Sequence, residues 1–324
     1  MRVLVLHSDV APDAPPDEQD TLITARAIAD ALRGNGHEAV LAAFAPEPVT
    51  LKKLIENIQP QIVFNMVESV FGEGQLASIA PAMLEKLGVP YTGVNGAAMA
   101  ITGDKPLAKN ILRAAGLATP DWSEPPLWDG LAEGRKCVVK SATEDASLEL
   151  DDNAVVASTK AVRERAHYCA AKHGGRWFAE AYVEGREFNV AVLQENGAPR
   201  VLPIAEMQFV DWAADRPKIV GYAAKWDDAS KDSTNTVRVF GWEKNEPALY
   251  RTLCENAQAA WKLFGLTGYA RVDFRVDARG APLILEINPN PCLEPKAGFA
   301  AAAGKAGLSY ADAIERILRA AKRN

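Results

Sequence analysis

The stretch GYARVDFRVDARGAPLILEIN reads as two strands flanking an Arg279-Gly280 turn. Arg271 and Asp273 stand two apart on the first strand, and Glu286 and Asn288 two apart on the second. Residues two apart share a face of a strand. With a loop of two or four residues, Asp273 lies opposite Glu286 and Arg271 opposite Asn288. One guanidinium, two carboxylates and a carboxamide oxygen then converge. Hard oxygen donors in that number suit Mg²⁺, which keeps waters and binds one or two carboxylates plus substrate phosphates. The Arg beside them would hold an anionic oxygen. Pro289 and Pro291 stop onward pairing and fix Asn288 at the strand end. For either carboxylate alone, an ordinary ion pair at an exposed strand end is the simpler account. The full quartet on one face argues against it.

The elements that must hold this quartet come from a chain of 324 residues with net charge −6 and a pI of about 5.4. That length suggests two or three domains. The acidic balance points away from nucleic acid. There is no basic run for a membrane surface, and no apolar run of the ~20 residues a span needs. MRVLVLHSDV reads as a first strand and not a signal peptide. Cys137, Cys169, Cys254 and Cys292 form no CxxC pair, which fits free thiols in a reducing cytoplasm.

The first hundred residues alternate strand and helix. RVLVLH, HEAVLAAF and QIVFNMV are strands. Leu22, Ile28 and Leu32, then Leu51, Leu54, Ile55 and Ile58, then QLASIAPAMLEKLG carry helical spacing. Such alternation argues a parallel α/β sheet. No GxGxxG follows the first strand, so a Rossmann dinucleotide site is not expected. Further on, DKPLAKNILRAAGLATP, residues 159–172, residues 248–263 and LSYADAIERILRAA read as helices. Ser309 and Asp312 look like a capping box on the last of them. RKCVVKSA, RWFAEAYV, REFNVAVLQ, PRVLPIAEM, KIVGYAAK and the terminal hairpin read as strands, antiparallel in the later part. Residues 207–235 are polar and poorly periodic, as lids often are.

ARVDF with LEINPNP resembles the metal-binding end of the ATP-grasp superfamily, in its D-alanine–D-alanine ligase-like branch. VFNMVES, GVPYTG, DKPLAK, the Lys140 strand, WFAEAYVEGREFNVAV, YAAKW and the C-terminal helix follow in the family's order. The resemblance implies an ATP-grasp fold that is α/β, with α+β character in the C-terminal part. Its units would be residues 1–101 (parallel α/β substrate domain), 102–183 (small central domain) and 184–324 (larger mixed domain with the metal site). ATP would sit between the last two, with Mg²⁺ or Mn²⁺. By the same resemblance Lys105 and Lys140 meet the nucleotide phosphates. Ser147 belongs to the loop that covers those phosphates. Glu180 and Val183 form the adenine hinge, and Glu187 holds the ribose. Lys225 reaches the γ-phosphate from the lid. Asp273, Glu286 and Asn288 are the metal ligands. Arg271, with the backbone N–H of Cys292, stabilises an acyl phosphate and the oxyanion that follows. Partners would be a small carboxylate and a small amine, on a cytoplasmic enzyme that could be a homodimer.

The departures fall on the amino-acid site. The family's N-domain carboxylate, serine and lid tyrosine correspond to about Gln19 (or Glu18), Ala146 and Trp226. Its histidine after FN is Glu68, and the serine that grips the second substrate's carboxylate falls near Ala297. The phosphate loop, SATEDASLEL, keeps Ser147 but has no glycine. Three functions follow from this pattern. One is an ATP-dependent carboxylate–amine ligase for an acid other than D-alanine, with Glu68 suiting a cationic or amine-bearing substrate. The others are a D-alanine–D-alanine ligase with an unusual site, and an ATP-grasp protein that binds nucleotide without ligase turnover.

Overall fold

Alternation at the start of the chain builds a parallel sheet in the computed structural model, which describes residues 1–131 and 133–321. β1 (Arg2–His7), β2 (Glu38–Ala43) and β3 (Ile62–Met66) pair in the order β2-β1-β3. Around them lie α1 (Pro16–Gly34), α2 (Pro48–Ile58) and α3 (Ile79–Leu87). Every residue of β3, IVFNM, is buried, as in a strand covered on both faces. The expected helix at QLASIAPAMLEKLG begins instead as a separate 3₁₀ turn at Gly74–Leu76.

α4 (Gly96–Gly103) and α5 (Lys105–Ala114) follow, capped by the side chains of Asn95 and Asp104. Each cap contributes about 1 kcal/mol. The second sheet is antiparallel. It contains β4 (Trp122–Ser123), β5 (Cys137–Ser141), β6 (Val155–Val156) and β7 (Trp177–Ala181), in the order β4-β7-β5-β6. α6 (Thr159–His173) packs Val162, Ala166 and Cys169 onto Cys137, Val139 and Trp177.

The third sheet holds β8 (Gly185–Glu195), β9 (Ala198–Val201), β10 (Ala205–Phe209), β11 (Thr236–Val239), β12 (Tyr269–Asp277) and β13 (Pro282–Asn288). Its order is β11-β10-β8-β12-β13, with β9 on β8. The short α7 (Tyr222–Trp226) and α8 (Lys231–Asn235) lie between β10 and β11, α9 (Pro247–Leu263) precedes β12, and α10 (Gly298–Lys305) and α11 (Tyr310–Arg319) close the chain. Alternation sorts the faces of this sheet. Phe188, Val190, Val192, Val272 and Phe274 pack on α4, α5 and α9. On the other face, Ala191, Leu193 and Tyr269 join a core with α1, α10 and α11, and Glu187, Asn189, Arg271, Asp273 and Arg275 line the polar remainder. α11 carries the expected Ser309–Asp312 capping box. Its Ile314, Ile317 and Leu318 are fully buried against Ile28 and Leu32, a burial of about 1.5–3 kcal/mol per side chain.

The hairpin register is the expected one, with Asp273 opposite Glu286 and Arg271 opposite Asn288. It arises differently. The turn places three residues between Asp277 and Ala281, which bond through Asp277 N–H to Ala281 O at 3.1 Å. Phe274 then faces Ile284, and a bulge at Leu285 restores the pairing of Asp273 with Glu286. Two strand expectations fail. KIVGYAAK is a loop leading into α7, whose conformation is held by distant contacts described below. PRVLPIAEM is two strands, interrupted at Leu202–Ile204 around Pro203, which lacks a ladder donor.

Candidate active site

Asp273 and Arg271 form the centre of the polar face. Arg271 Nε donates to Asp273 Oδ1 at 2.8 Å and Nη2 to Oδ2 at 2.8 Å, while Asn189 Nδ2 donates to Oδ1 at 2.9 Å. Burial pushes the Asp273 carboxyl up against the pull of Arg271. Glu286 accepts no protein hydrogen bond among the described residues. Burial alone would raise it, but the charges of Lys105, Lys140, Lys225 and Arg271 prevail and hold it at about 2. Cations from α5, β5, α7 and β12 therefore surround one carboxylate. Asn288 Oδ1 accepts from Asn290 N–H at 3.1 Å. Two carboxylates and a carboxamide oxygen on one face, one carboxylate without a donor, fit a hard divalent cation.

Lys105 opens α5 and donates from Nζ to Glu144 O at 2.9 Å and Asp145 Oδ1 at 2.8 Å. Lys140 donates to Glu180 Oε1 at 2.7 Å. The other Glu180 oxygen lies against Lys109 Nζ, which also donates to Thr119 Oγ1 at 2.8 Å. Lys109 is 1% exposed. Sequence reasoning missed it, because a lone lysine reads as a surface charge. The signal was its position four residues after Lys105, on the same helix face as buried Leu112. Burial would raise Glu180, yet the two lysines lower it. Its carboxylate thus faces lysines, where the sequence suggested an adenine contact. Val183 lies half-buried in the link from β7 to β8. Glu187 faces Arg275 Nη1 at 3.5 Å, and burial pushes its carboxyl up.

The glycine-free loop folds as though it had glycines. Ala146, Ser147 and Glu149 have φ of 59°, 60° and 55°, a region that costs an L-residue roughly 1–2 kcal/mol. The Ser147 hydroxyl donates to Val220 O at 2.9 Å, so it holds the segment before α7. That segment closes over the loop. Tyr222 N–H donates to Leu150 O at 3.1 Å, and a Cβ on Gly221 would fall 2.4 Å from the same oxygen. Trp226 Nε1 donates to Ala146 O at 3.0 Å. Arg216 clamps Asp152 and Asp232 and stacks on Trp212 at 4.0 Å. Lys225 keeps an open face to solvent, while enclosure by the cleft and the Arg271 charge lower its pKa. The open face argues for a small effect.

The N-terminal wall differs from the expectation. Gln19 Nε2 donates to Ala11 O and Pro12 O and takes no part in the cluster. Glu18 is raised by burial and by Asp17 and its carboxylate makes no hydrogen bond among the described residues. Asp20 faces it instead, accepting from Cys292 Sγ at 3.1 Å and Thr24 Oγ1 at 3.5 Å. Asp17 accepts from Tyr222 OH at 2.8 Å, which ties α7 to α1. Asp17, Asp20 and Thr24 recur at helical spacing on α1, a signal hidden within PPDEQD. Glu68 is raised to about 8 by enclosure, then by Asp20 and Asp145; its solvent-exposed surface tempers this. Burial and the neighbouring Glu68 and Asp20 push the Cys292 thiol up, which favours the neutral thiol over the thiolate.

The family described as D-ala D-ala ligase C-terminus matches residues 133–319. The chain is 33% identical over 310 residues to a D-alanine–D-alanine ligase of Anaeromyxobacter sp. (strain K), covering 93% of this chain and 92% of that one. It is 29% identical to a D-alanine–D-alanine ligase of Moorella thermoacetica, covering 94% and 95%. The solved D-alanine–D-alanine ligase of Bacillus anthracis complexed with ATP shares the fold, with a TM-score of 0.75, 22% identity and coverage of 99% and 97%. The chain belongs to the D-alanine–D-alanine ligase family of the ATP-grasp fold, and is an ATP-dependent carbon–nitrogen ligase.

Proposed function

We propose that the protein joins the carboxylate of one small amino acid to the amine of a second through an acyl phosphate, and that one of the pair is an amine-bearing acid other than D-alanine. The observation that carries the chemistry is the convergence of Lys105, Lys140, Lys225 and Arg271 on Glu286. Phosphoryl transfer to a carboxylate is mainly positioning and charge neutralisation. A substrate carboxylate oxygen attacks the γ-phosphorus of ATP and ADP leaves. The amine nitrogen then attacks the acyl carbon, the C–O bond to phosphate breaks, and the amine proton is lost to solvent or phosphate. Lysines at 105, 140 and 225 would neutralise the transferring phosphoryl group. The unpaired Nη1 of Arg271 would face the acyl oxygen. Asp273, Glu286 and Asn288 would hold Mg²⁺ or Mn²⁺, which when bound offsets phosphate charge.

The substrate reading rests on the wall formed by Asp20, Glu68 and Asp145, whose mutual repulsion suits a cation. A second reading, D-alanine–D-alanine ligase, is favoured by the relative that is 33% identical across 93% of the chain. Phosphate release from ATP across a panel of D- and L-amino acids, with products read by mass spectrometry, separates the two. Turnover with a diamino acid and little with D-alanine supports the first. Efficient D-alanyl-D-alanine synthesis supports the second. No amino-acid-dependent release with any member would remove both.

A further inference from the structure

Arg275 lies on β12, two residues past Asp273, and stands opposite Glu187 of β8. Its neighbours Phe274 and Val276 are buried in the core, so Arg275 belongs to the polar face. It is 3% exposed, and a guanidinium so enclosed is costly unless other groups pair with it. Its partners come from three separate elements. Nη1 donates to Glu187 Oε2 at 3.5 Å, a long contact. Nη2 donates to Lys218 O at 2.5 Å. The guanidinium carbon lies 5.5 Å from the centre of the Tyr182 ring, within cation–π range.

Lys218 belongs to the segment that leads into α7, and both of its backbone groups are held. Its carbonyl accepts from Arg275, and its N–H donates to Tyr182 OH at 2.9 Å. Tyr182 lies in the link from β7 to β8, beside Val183. The other ties of this segment, at Val220, Tyr222 and Arg216, run to residues 147–152. Arg275 and Tyr182 instead fasten it to the third sheet and to the link. Glu187 is left with that one long hydrogen bond and no second donor among the described residues. Burial pushes its carboxyl up, and the Arg275 charge opposes the rise. A carboxylate held beside a cation and short of donors suits a ligand that brings hydroxyl groups.

We infer that Arg275 is a positioning residue for ATP, which steadies Glu187 toward the ribose hydroxyls and, through the Lys218 carbonyl, latches the lid over the nucleoside end of the cleft. This deepens the ligase reading and rests on its placement of ATP between the second and third sheets. Opening the lid breaks the bond to Lys218 and leaves the buried guanidinium with Glu187. Closing it draws the guanidinium back to Lys218 and leaves Glu187 free to accept from a diol. One side chain thereby joins the two events. The planar fork of Arg can serve both partners at once, which the single ammonium of a lysine does poorly.

The test reads nucleotide binding alone, without amino acids and at a fixed Mg²⁺ concentration. A non-hydrolysable ATP analogue and its dideoxyribose form are titrated by calorimetry onto wild type, Arg275→Met, Arg275→Lys and Tyr182→Phe. Wild type should prefer the ribose form by ~10-fold or more, as for hydrogen bonds to a charged group. Arg275→Met should bind the ribose form ~10–100-fold more weakly and lose most of that preference. Arg275→Lys should recover part of the preference, since it restores a charge beside Glu187. Tyr182→Phe removes one lid bond and leaves Arg275 and Glu187 in place. It should release the analogue ~3–10-fold faster in stopped flow, as for one neutral hydrogen bond, with the preference intact. Wild-type affinity in Arg275→Met would overturn the inference. So would equal losses on both nucleotides, which mark a structural role. Should Arg275→Met not fold, a wild-type preference in Arg275→Lys or wild-type release from Tyr182→Phe would overturn it as well. If nucleotide binding followed Arg275 in this way while no amino acid supported turnover, the inference would stand and the ligase reading would fall.

Discussion

Trp226 donates its indole N–H to the carbonyl of Ala146 at 3.0 Å, so α7 is tied to the backbone of the glycine-free loop at 141–150. Ala146 and Trp226 stand where the family has a serine and a lid tyrosine, and this bond joins the two positions. Trp226→Phe keeps the aromatic body and removes the donor. The expected result is a rise in KM for ATP of ~3–10-fold, as for one neutral hydrogen bond, with Tm almost unchanged. Steady-state kinetics at saturating amino acid would show it. An unchanged KM would mean that the lid does not depend on this bond.

Ala146 sits at φ 59°, so glycine should be accepted there at no loss. Relief of roughly 1–2 kcal/mol of left-handed strain opposes the ~0.5–1 kcal/mol that glycine usually costs. Ala146→Gly is expected to leave urea stability level or slightly higher. Ala146→Val should lower it by more than ~1 kcal/mol, because a β-branched residue fits that region worst. A loss in Ala146→Gly as large as that in Ala146→Val would contradict the strained backbone.

Glu149 gathers Lys172 at 2.6 Å, His173 at 2.8 Å and Arg165 at 3.1 Å at the foot of the same loop. Burial would raise its carboxyl, but hydrogen bonds from Lys172 and His173 and the charges of Lys172 and Arg165 lower it below the usual 4.5. A depressed folded-state pKa stabilises fully above the unfolded value and is lost as pH falls through the folded one. Wild type should therefore melt above Glu149→Gln at neutral pH, by a few degrees at ~2–4 °C per kcal/mol. The gap should close as pH drops below 4.5. Melting curves from neutral to acidic pH test this, and a gap independent of pH would refute it.

Binding and chemistry should separate between Lys140 and Arg271. Lys140→Met removes a cation that faces Glu180 and Glu286, and should weaken ATP binding by ~10-fold or more. Arg271→Met should change ATP affinity little and lower kcat by ~10²–10³, as for one oxyanion donor. Calorimetric ATP binding paired with turnover would read both. The reverse pattern would make the hairpin a nucleotide clamp.

How much of this was legible depended on the range of each interaction. The Arg271–Asp273–Glu286–Asn288 face could be read because side chains two apart on a strand must share a face. The bulge at Leu285 could not, since bulges leave no periodic mark; a three-residue loop with that bulge gives the same register as a bulge-free loop of two or four residues. α7 was taken for a strand because KIVGY carries β-branched residues; its short helix is instead held by Tyr222 on Asp17 and Trp226 on Ala146, contacts that span 205 and 80 residues. Asp20 was missed by one position because PPDEQD offers three acids and no context. Lys109 shows only its spacing from Lys105 on the buried face of α5; its burial and its ion pair with Glu180 single it out.

The acyl phosphate itself is tested most directly with oxygen-18. The acid substrate identified by the panel is labelled in its carboxylate and turned over with unlabelled ATP, and the released phosphate is weighed by mass spectrometry. Attack by the carboxylate on the γ-phosphorus transfers one labelled oxygen to phosphate in each turnover. Phosphate free of label, released alongside the amide product, would contradict carboxylate activation at the site built around Arg271, Asp273 and Glu286.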